Sequence, residues 1–84
     1  METNLRFWIY IIQSDGEPGR FYTGFTEDPA RRLLEHNNRK LPNTARYAPW
    51  RLKTAIGFTD RDRALAFEHY LKTASGRALA KKRL

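Results

Sequence analysis

The chain has 84 residues, 40% of them hydrophobic, no cysteine, and 16 Lys and Arg against nine Asp and Glu, for a net charge of +7. That is room for one domain, residues 1–84, with a small core, and too much apolar content for a disordered tail. Disulfides and thiolate metal centres are excluded. No run of residues approaches membrane-spanning length and no cleavable leader is apparent, so a soluble cytoplasmic protein is expected. The positive charge points to a polyanionic partner, nucleic acid above all. The plainer alternative is a basic surface that serves solubility.

Met1 to Asn4 reads as a loose start. Leu5 to Gln13 is almost unbroken in aromatic and β-branched residues, the pattern of a strand buried on both faces and therefore central. Ser14 to Gly19 is dense in turn residues and closes a hairpin onto Arg20–Thr26. In that second strand Phe21, Thr23 and Phe25 share one face, Tyr22 and Gly24 the other. A glycine within a strand marks a bulge or a close approach by another group. Asp28 is an N-cap candidate with Pro29 at the first helical position. The helix from Asp28 to Asn38 is expected to pack through Ala30, Leu33, Leu34 and Asn37, with Arg32 and His36 stacked on a different side.

Arg39 to Trp50 lacks any period and is expected to be a loop, basic through Arg39, Lys40 and Arg46. Arg51 to Phe58 alternates as a third strand, with Leu52, Thr54 and Ile56 on one side. Thr59 and Asp60 offer a cap to a helix over Arg61–Lys72, whose packed stripe is Ala64, Phe67 and Leu71; Asp62 supplies the acid of a capping box to Thr59. Ser75-Gly76 breaks that helix ahead of a short one over Arg77–Arg83. The order strand, strand, helix, strand, helix, helix implies an α+β fold, a small antiparallel sheet with helices packed on it.

Some residues sit where packing alone would not put them. Glu68 falls inside the stripe of its helix, and a buried carboxylate must be paired, protonated or bound to a cation. A salt bridge is the plain reading, and coordination of a hard divalent ion such as Mg²⁺ the functional one. Tyr10 and Tyr22 lie mid-strand, where hairpin pairing can set them side by side. With Arg32, His36 and Glu68 they would supply a proton acceptor, an anion clamp and a metal ligand, the parts that phosphodiester hydrolysis needs. His69 points away from the packed stripe and reads as surface.

Ile9-Tyr10 and then Tyr22-Thr23-Gly24 resemble the two halves of the signature that names the GIY-YIG nuclease superfamily. Arg32, ten residues after Tyr22, stands at the spacing of that superfamily's catalytic arginine. His36 stands where members carry His or Tyr, and Glu68 where they carry a metal-binding glutamate. The string from Tyr22 through Arg31-Arg32-Leu33 and Glu35-His36-Asn37 looks like the compact stand-alone bacterial branch, close to structure-selective junction nucleases. The resemblance spans Phe7 to Lys72. It implies a three-stranded antiparallel sheet with flanking helices and metal-dependent cleavage of nucleic acid, expected to be DNA, in repair or recombination. It further implies Tyr10 or Tyr22 as the proton acceptor, Arg32 as the stabiliser of phosphoryl charge, His36 as an aid at the edge of the site, and Glu68 as ligand to Mg²⁺ or Mn²⁺.

Trp8 replaces the glycine of the first signature and Thr23 the isoleucine of the second, both packing positions. No asparagine follows Asn43, although many members carry one late in the site; Ser75 is the candidate replacement. Members with additional DNA-binding domains suggest that this chain needs a protein partner for targeting. Arg31, Arg39, Lys40, Arg46, Lys81, Lys82 and Arg83 are the expected phosphate contacts. Two rival readings are a non-catalytic basic module on the same fold and an adaptor that meets a protein through exposed Tyr47 and Trp50.

Overall fold

Phe7–Ser14 (β1) lies at the centre of a three-stranded antiparallel sheet of order β2–β1–β3, with β2 at Phe21–Thr26 and β3 at Trp50–Phe58. The computed structural model describes residues 4–84, so Met1–Thr3 of the expected loose start lie outside it. The helices are α1 (Pro29–Asn37), α2 (Pro42–Ala45), α3 (Arg61–Leu71) and α4 (Ala74–Arg83). This is the expected α+β architecture. Among the described residues no helix is long and apolar enough to cross a membrane.

The unbroken apolar run of β1 is explained by burial on both faces. Ile9 and Ile11 join Ala64 and Leu71 of α3 in one core, edged by Phe7, Phe25, Phe58 and Phe67. Tyr10 and Ile12 face the other way and pack with Trp50, Tyr22 and Leu33. One sheet face is therefore covered by α3 and α4, the other by α1 and α2.

Third-strand alternation is interrupted, contrary to expectation. Ile11 pairs with Thr54 but Ile12 pairs with Leu52, so Lys53 is an extra residue in a bulge. Leu52 consequently faces the α1 side while Thr54 and Ile56, opposite Ile11 and Ile9, face the α3 side. The bulge also lets Trp50 turn inward toward α1, where it is buried rather than displayed to a partner. Its indole N–H donates to the Thr44 carbonyl at 2.9 Å. Tyr47 is half-buried, with the Arg20 guanidinium 4.5 Å from its ring centre. The surface required by the adaptor reading is not present in these two residues.

Helix starts follow their caps. Asp28 accepts from the Arg31 N–H with Pro29 in the first turn. In α3 the cap is Asp60, which accepts from the Asp62 and Arg63 N–H groups, so Thr59 does not form the expected capping box. Thr73 caps α4 by accepting from the Gly76 N–H. Ser75 and Gly76 thus lie in the first turn of α4 rather than breaking the chain ahead of it. Gly76 is buried against the Tyr70 carbonyl, where a Cβ has no room.

Two corrections concern α1 and the segment leading from it to β3. Leu34 is 63% exposed and Ala30 is exposed, while His36 is 1% exposed. The helix is rotated so that Arg32, Leu33, His36 and Asn37 face the sheet. Polar bonds hold this orientation: the Asn37 amide both donates to the Trp50 carbonyl and accepts from the Trp50 N–H. Arg39 ends the helix at φ 59°, with its N–H on the His36 carbonyl and the Lys40 N–H on the Glu35 carbonyl, the double closure of a Schellman turn. The expected loop then contains α2, whose Thr44 is buried.

Gly24 lies opposite Tyr10 in the β1–β2 ladder. A Cβ there would meet the Tyr10 phenol oxygen at 2.5 Å and ring carbons at 2.6 and 2.8 Å. Because that ring is buried and held at its tip, overpacking should cost about 1–3 kcal/mol. Gly24→Ala should therefore lower the urea midpoint clearly. Gly19→Ala, with nothing within 4 Å of the new methyl, should leave the midpoint unchanged or slightly raised.

Candidate active site at the edge of the sheet

Tyr10 is placed by its position on the central strand, and the side-chain-free Gly24 leaves space for its phenol to lie toward the open edge of β2. There the Tyr10 hydroxyl meets His36 Nε2 at 2.8 Å. His36 Nδ1 meets the Thr44 hydroxyl at 2.6 Å, and Thr44 also donates weakly to the Leu41 carbonyl at 3.4 Å. With the Thr44 proton on Leu41, Nδ1–H donates to Thr44 and Nε2 is left to accept from Tyr10. Tyr10, His36 and Thr44 are each at most 3% exposed, so the chain of bonds is shielded from water.

Tyr22 stands diagonally across the ladder from Tyr10, opposite Ile12. The expected neighbourhood of the two tyrosines is therefore realised by ring contact, with centroids 6.2 Å apart. Tyr22 also lies 5.1 Å from the His36 ring and stays partly open to solvent. His36 is at the core of this cluster and not at its edge.

Arg32 is one turn before His36 on α1. Its guanidinium pairs with Glu35 at 3.3 Å, while Arg31 reaches the other Glu35 oxygen at 3.8 Å. The two arginines differ in setting: the Arg31 side chain is 77% exposed and the Arg32 side chain 36%. Glu68 approaches from α3, on the opposite face of the sheet. It is half-buried rather than fully buried, and one carboxylate oxygen takes the Lys72 ammonium at 3.3 Å, one turn on. The plain expectation of a salt bridge is thus met, in a form too solvated to be worth much in stability.

The electrostatics tie these groups together. The Tyr10 phenol is pushed far above its ordinary value, chiefly by burial, then by Tyr22, with Glu68 and Glu35 adding to the shift and Arg32 opposing it. It is a neutral donor at physiological pH. His36 is lowered from its usual 6.5 by burial first and by Arg32 second, with Glu35 opposing. An imidazole so placed is neutral and has a lone pair for Tyr10.

As a cation site, the donor set is sparse: among the described residues no group of three or more His, Cys, Asp or Glu is assembled. A single half-buried carboxylate suits Mg²⁺, which keeps several waters and is completed by substrate phosphate oxygens. It does not suit an all-protein cage.

The expected phosphate contacts are dispersed. Arg39 and Lys40 follow α1, Arg46 follows α2, and Lys81, Lys82 and Arg83 close α4; all six are exposed. Ser75 is exposed on α4, as is His69 on α3. Three residues escaped sequence reasoning. Thr44 had no signal, because its partner is 8 positions away through a turn. Glu35 was adjacent in sequence, and its spacing to both arginines was a usable sign. Lys72 is four residues past Glu68, the favoured order for a helical ion pair.

The model of the GIY-YIG catalytic domain matches residues 6–83. The chain belongs to the GIY-YIG family. Its curated relatives include the structure-specific endonuclease subunit SLX1 homolog of Giardia intestinalis, 41% identical over 67 residues that make up 74% of this chain and 18% of the relative. SLX1 of Scheffersomyces stipitis is 36% identical over 75% of this chain and 21% of its own. SLX1 of Talaromyces marneffei is 42% identical over 74% and 18% respectively. The GIY-YIG chain thus spans about a fifth of the length of these relatives. They come from a protist and fungi, and lend no support to a narrower placement in a bacterial branch.

The lowered His36 value makes a pH test specific. Unfolded, the imidazole takes a proton below about 6.5; folded, it resists. Stability contributed by the neutral ring is therefore complete above that value and is lost as pH falls through and below it. The stability difference between wild type and His36→Gln, measured by urea denaturation, should shrink on acidification from neutral pH to the low fives. A constant difference would show that His36 is not held neutral.

Proposed function

We propose that this GIY-YIG domain is a divalent-metal-dependent endonuclease that cleaves nucleic acid, DNA in the first instance, as the names of its SLX1 relatives indicate for those proteins. The observation that carries the proposal is the buried Tyr10–His36 bond ending beside Tyr22 and Arg32. A phenol pushed upward is a poor base by itself. One that donates to an imidazole lone pair can accept a proton from water while giving its own to that imidazole, so no free phenolate has to form.

In the reading we favour, a water attacks phosphorus and its proton passes to the Tyr10 oxygen as the Tyr10 proton moves to His36 Nε2. Thr44 holds His36 in the accepting tautomer. Tyr22 borders the attacking water, and Arg32 stabilises the negative charge that grows on the phosphoryl oxygens. Glu68 would hold Mg²⁺ or Mn²⁺, which when bound would withdraw charge from the leaving oxygen. Lys72 competes for the same carboxylate, so metal affinity without nucleic acid should be low. Arg31, Arg39, Lys40, Arg46 and the Lys81-Lys82-Arg83 end of α4 supply sequence-independent attraction. Branched DNA is the substrate class to test first, and a targeting protein partner belongs to the same proposal.

The test is incubation with duplex, flapped and branched DNA, with Mg²⁺, Mn²⁺ or chelator. Cleavage should require metal. Arg32→Ala should reduce it by about a hundredfold or more while sparing most binding, and Arg31→Ala should do much less. Equal losses would move the phosphoryl contact away from Arg32. Glu68→Gln should abolish cleavage yet melt within about 1 kcal/mol of wild type without metal, because it removes a solvated ion pair only. Cleavage retained by Glu68→Gln would remove this residue from the metal site.

A further inference from the structure

A concavity of about 810 Å³ lies on the α3–α4 side of the sheet and runs from the β1–β2 hairpin to α4. Its floor is apolar, with Ile11, Leu71 and Ala80. Its rim carries Arg20, Lys53, Lys72, Arg77 and Lys81; Arg20 pairs with Glu17 and Lys72 with Glu68, while Lys53, Arg77 and Lys81 have no carboxylate partner among the described residues. Phe21 stands among these cations on the edge strand with 51% of its surface exposed, and the Lys53 ammonium is 5.7 Å from the ring centre. An aromatic in this position adds little to the core, whose members are Ile9, Ile11, Ala64 and Leu71.

Two residues of the groove wall belong to the candidate active site or touch it. Tyr22 lines it, and so does Lys72, the partner of Glu68. Cations lining a channel supply contacts to a phosphate backbone, and an exposed ring among them supplies a stacking surface for a base. A duplex hides its base faces and would leave such a ring unused. We propose that this groove binds an unpaired strand of nucleic acid, with one base stacked on Phe21 and the backbone held by Arg77 and Lys81 from one side and by Lys53 from the other. The inference builds on the nuclease reading, since it makes the single-stranded arm beside the cleaved bond a recognised part of the substrate. Lys82 and Arg83, next in sequence to Lys81, do not line the groove and serve as internal controls.

The experiment is fluorescence anisotropy in chelator, so that cleavage plays no part, with labelled oligothymidine, oligouridine and a DNA duplex. Phe21→Ala should weaken binding of the single strands about tenfold, in the range for stacking one base on an aromatic side chain, and leave duplex binding unchanged. Phe21→Trp should retain or strengthen single-strand binding. Arg77→Gln with Lys81→Gln should flatten the salt dependence by about 0.7 in logarithmic slope for each lost contact; Lys82→Gln with Arg83→Gln should flatten it less. DNA and RNA strands that lose affinity equally would assign the groove to base stacking and backbone charge, and a larger loss for one would assign it to that strand type.

Equal weakening of duplex and single strand by Phe21→Ala, or none of either, would overturn the proposal. So would displacement of the oligonucleotide by polyglutamate as readily as by unlabelled strand, because charge alone would then account for the site. Selective loss with no cleavage by wild type in the metal-containing assay would keep the groove and reject the enzyme. Cleavage by wild type with an unselective Phe21→Ala would do the reverse.

Discussion

The hydrogen bond between the Tyr10 hydroxyl and His36 is the constraint around which this molecule is arranged. A phenol and an imidazole are costly to bury singly, and each satisfies the other only at one distance and one orientation. That requirement fixes the rotation of α1 on the sheet, demands a residue without a side chain opposite Tyr10, and calls on α2 for a partner to the far nitrogen. No buried side-chain nitrogen or oxygen among the described residues lacks a partner, so the polar core is closed.

The field at that bond is shaped from both faces of the sheet. Tyr22 and Arg32 on the α1 side and Glu68 on the α3 side all act electrostatically on the Tyr10 phenol. The charges then divide by task. Near Tyr10, one guanidinium is balanced by carboxylates, which keeps the local field moderate. Farther along the α3–α4 side Lys53, Arg77 and Lys81 have no carboxylate partner among the described residues, and these cations are left to an external anion. A surplus of +7 over the whole chain is thus spatially uneven, and the unevenness leads away from the tyrosine cluster.

Most of the scaffold was legible from the residues. A continuous apolar run announced the central strand, Asp28-Pro29 announced the start of α1, and a glycine in a strand announced a close neighbour, which is the Tyr10 ring. Hydrophobicity misled where polar bonds decide. It turned Leu34 inward and His36 outward, because the bonds that invert that choice are made to Trp50, Tyr10 and Thr44, all distant in sequence. It placed Glu68 deeper than it lies, since a helix at the margin of a sheet buries only part of its stripe. The candidate site residues were found through spacing that matches a known signature; their contacts, above all with Thr44, depend on the fold.

The bulge at Lys53 has a consequence for how such domains diverge. Trp50 and Thr54 are an even number of residues apart, yet they face opposite layers. Loss of the bulge residue would restore simple alternation with the indole still beneath α1 and Thr54 still on the α4 side, whereas a second single loss would exchange the two faces. This stretch can therefore shed or gain one residue only at the bulge itself, and elsewhere changes in steps of two. A homologous chain without the bulge must carry a gap here, and an ungapped comparison would exchange its inside for its outside.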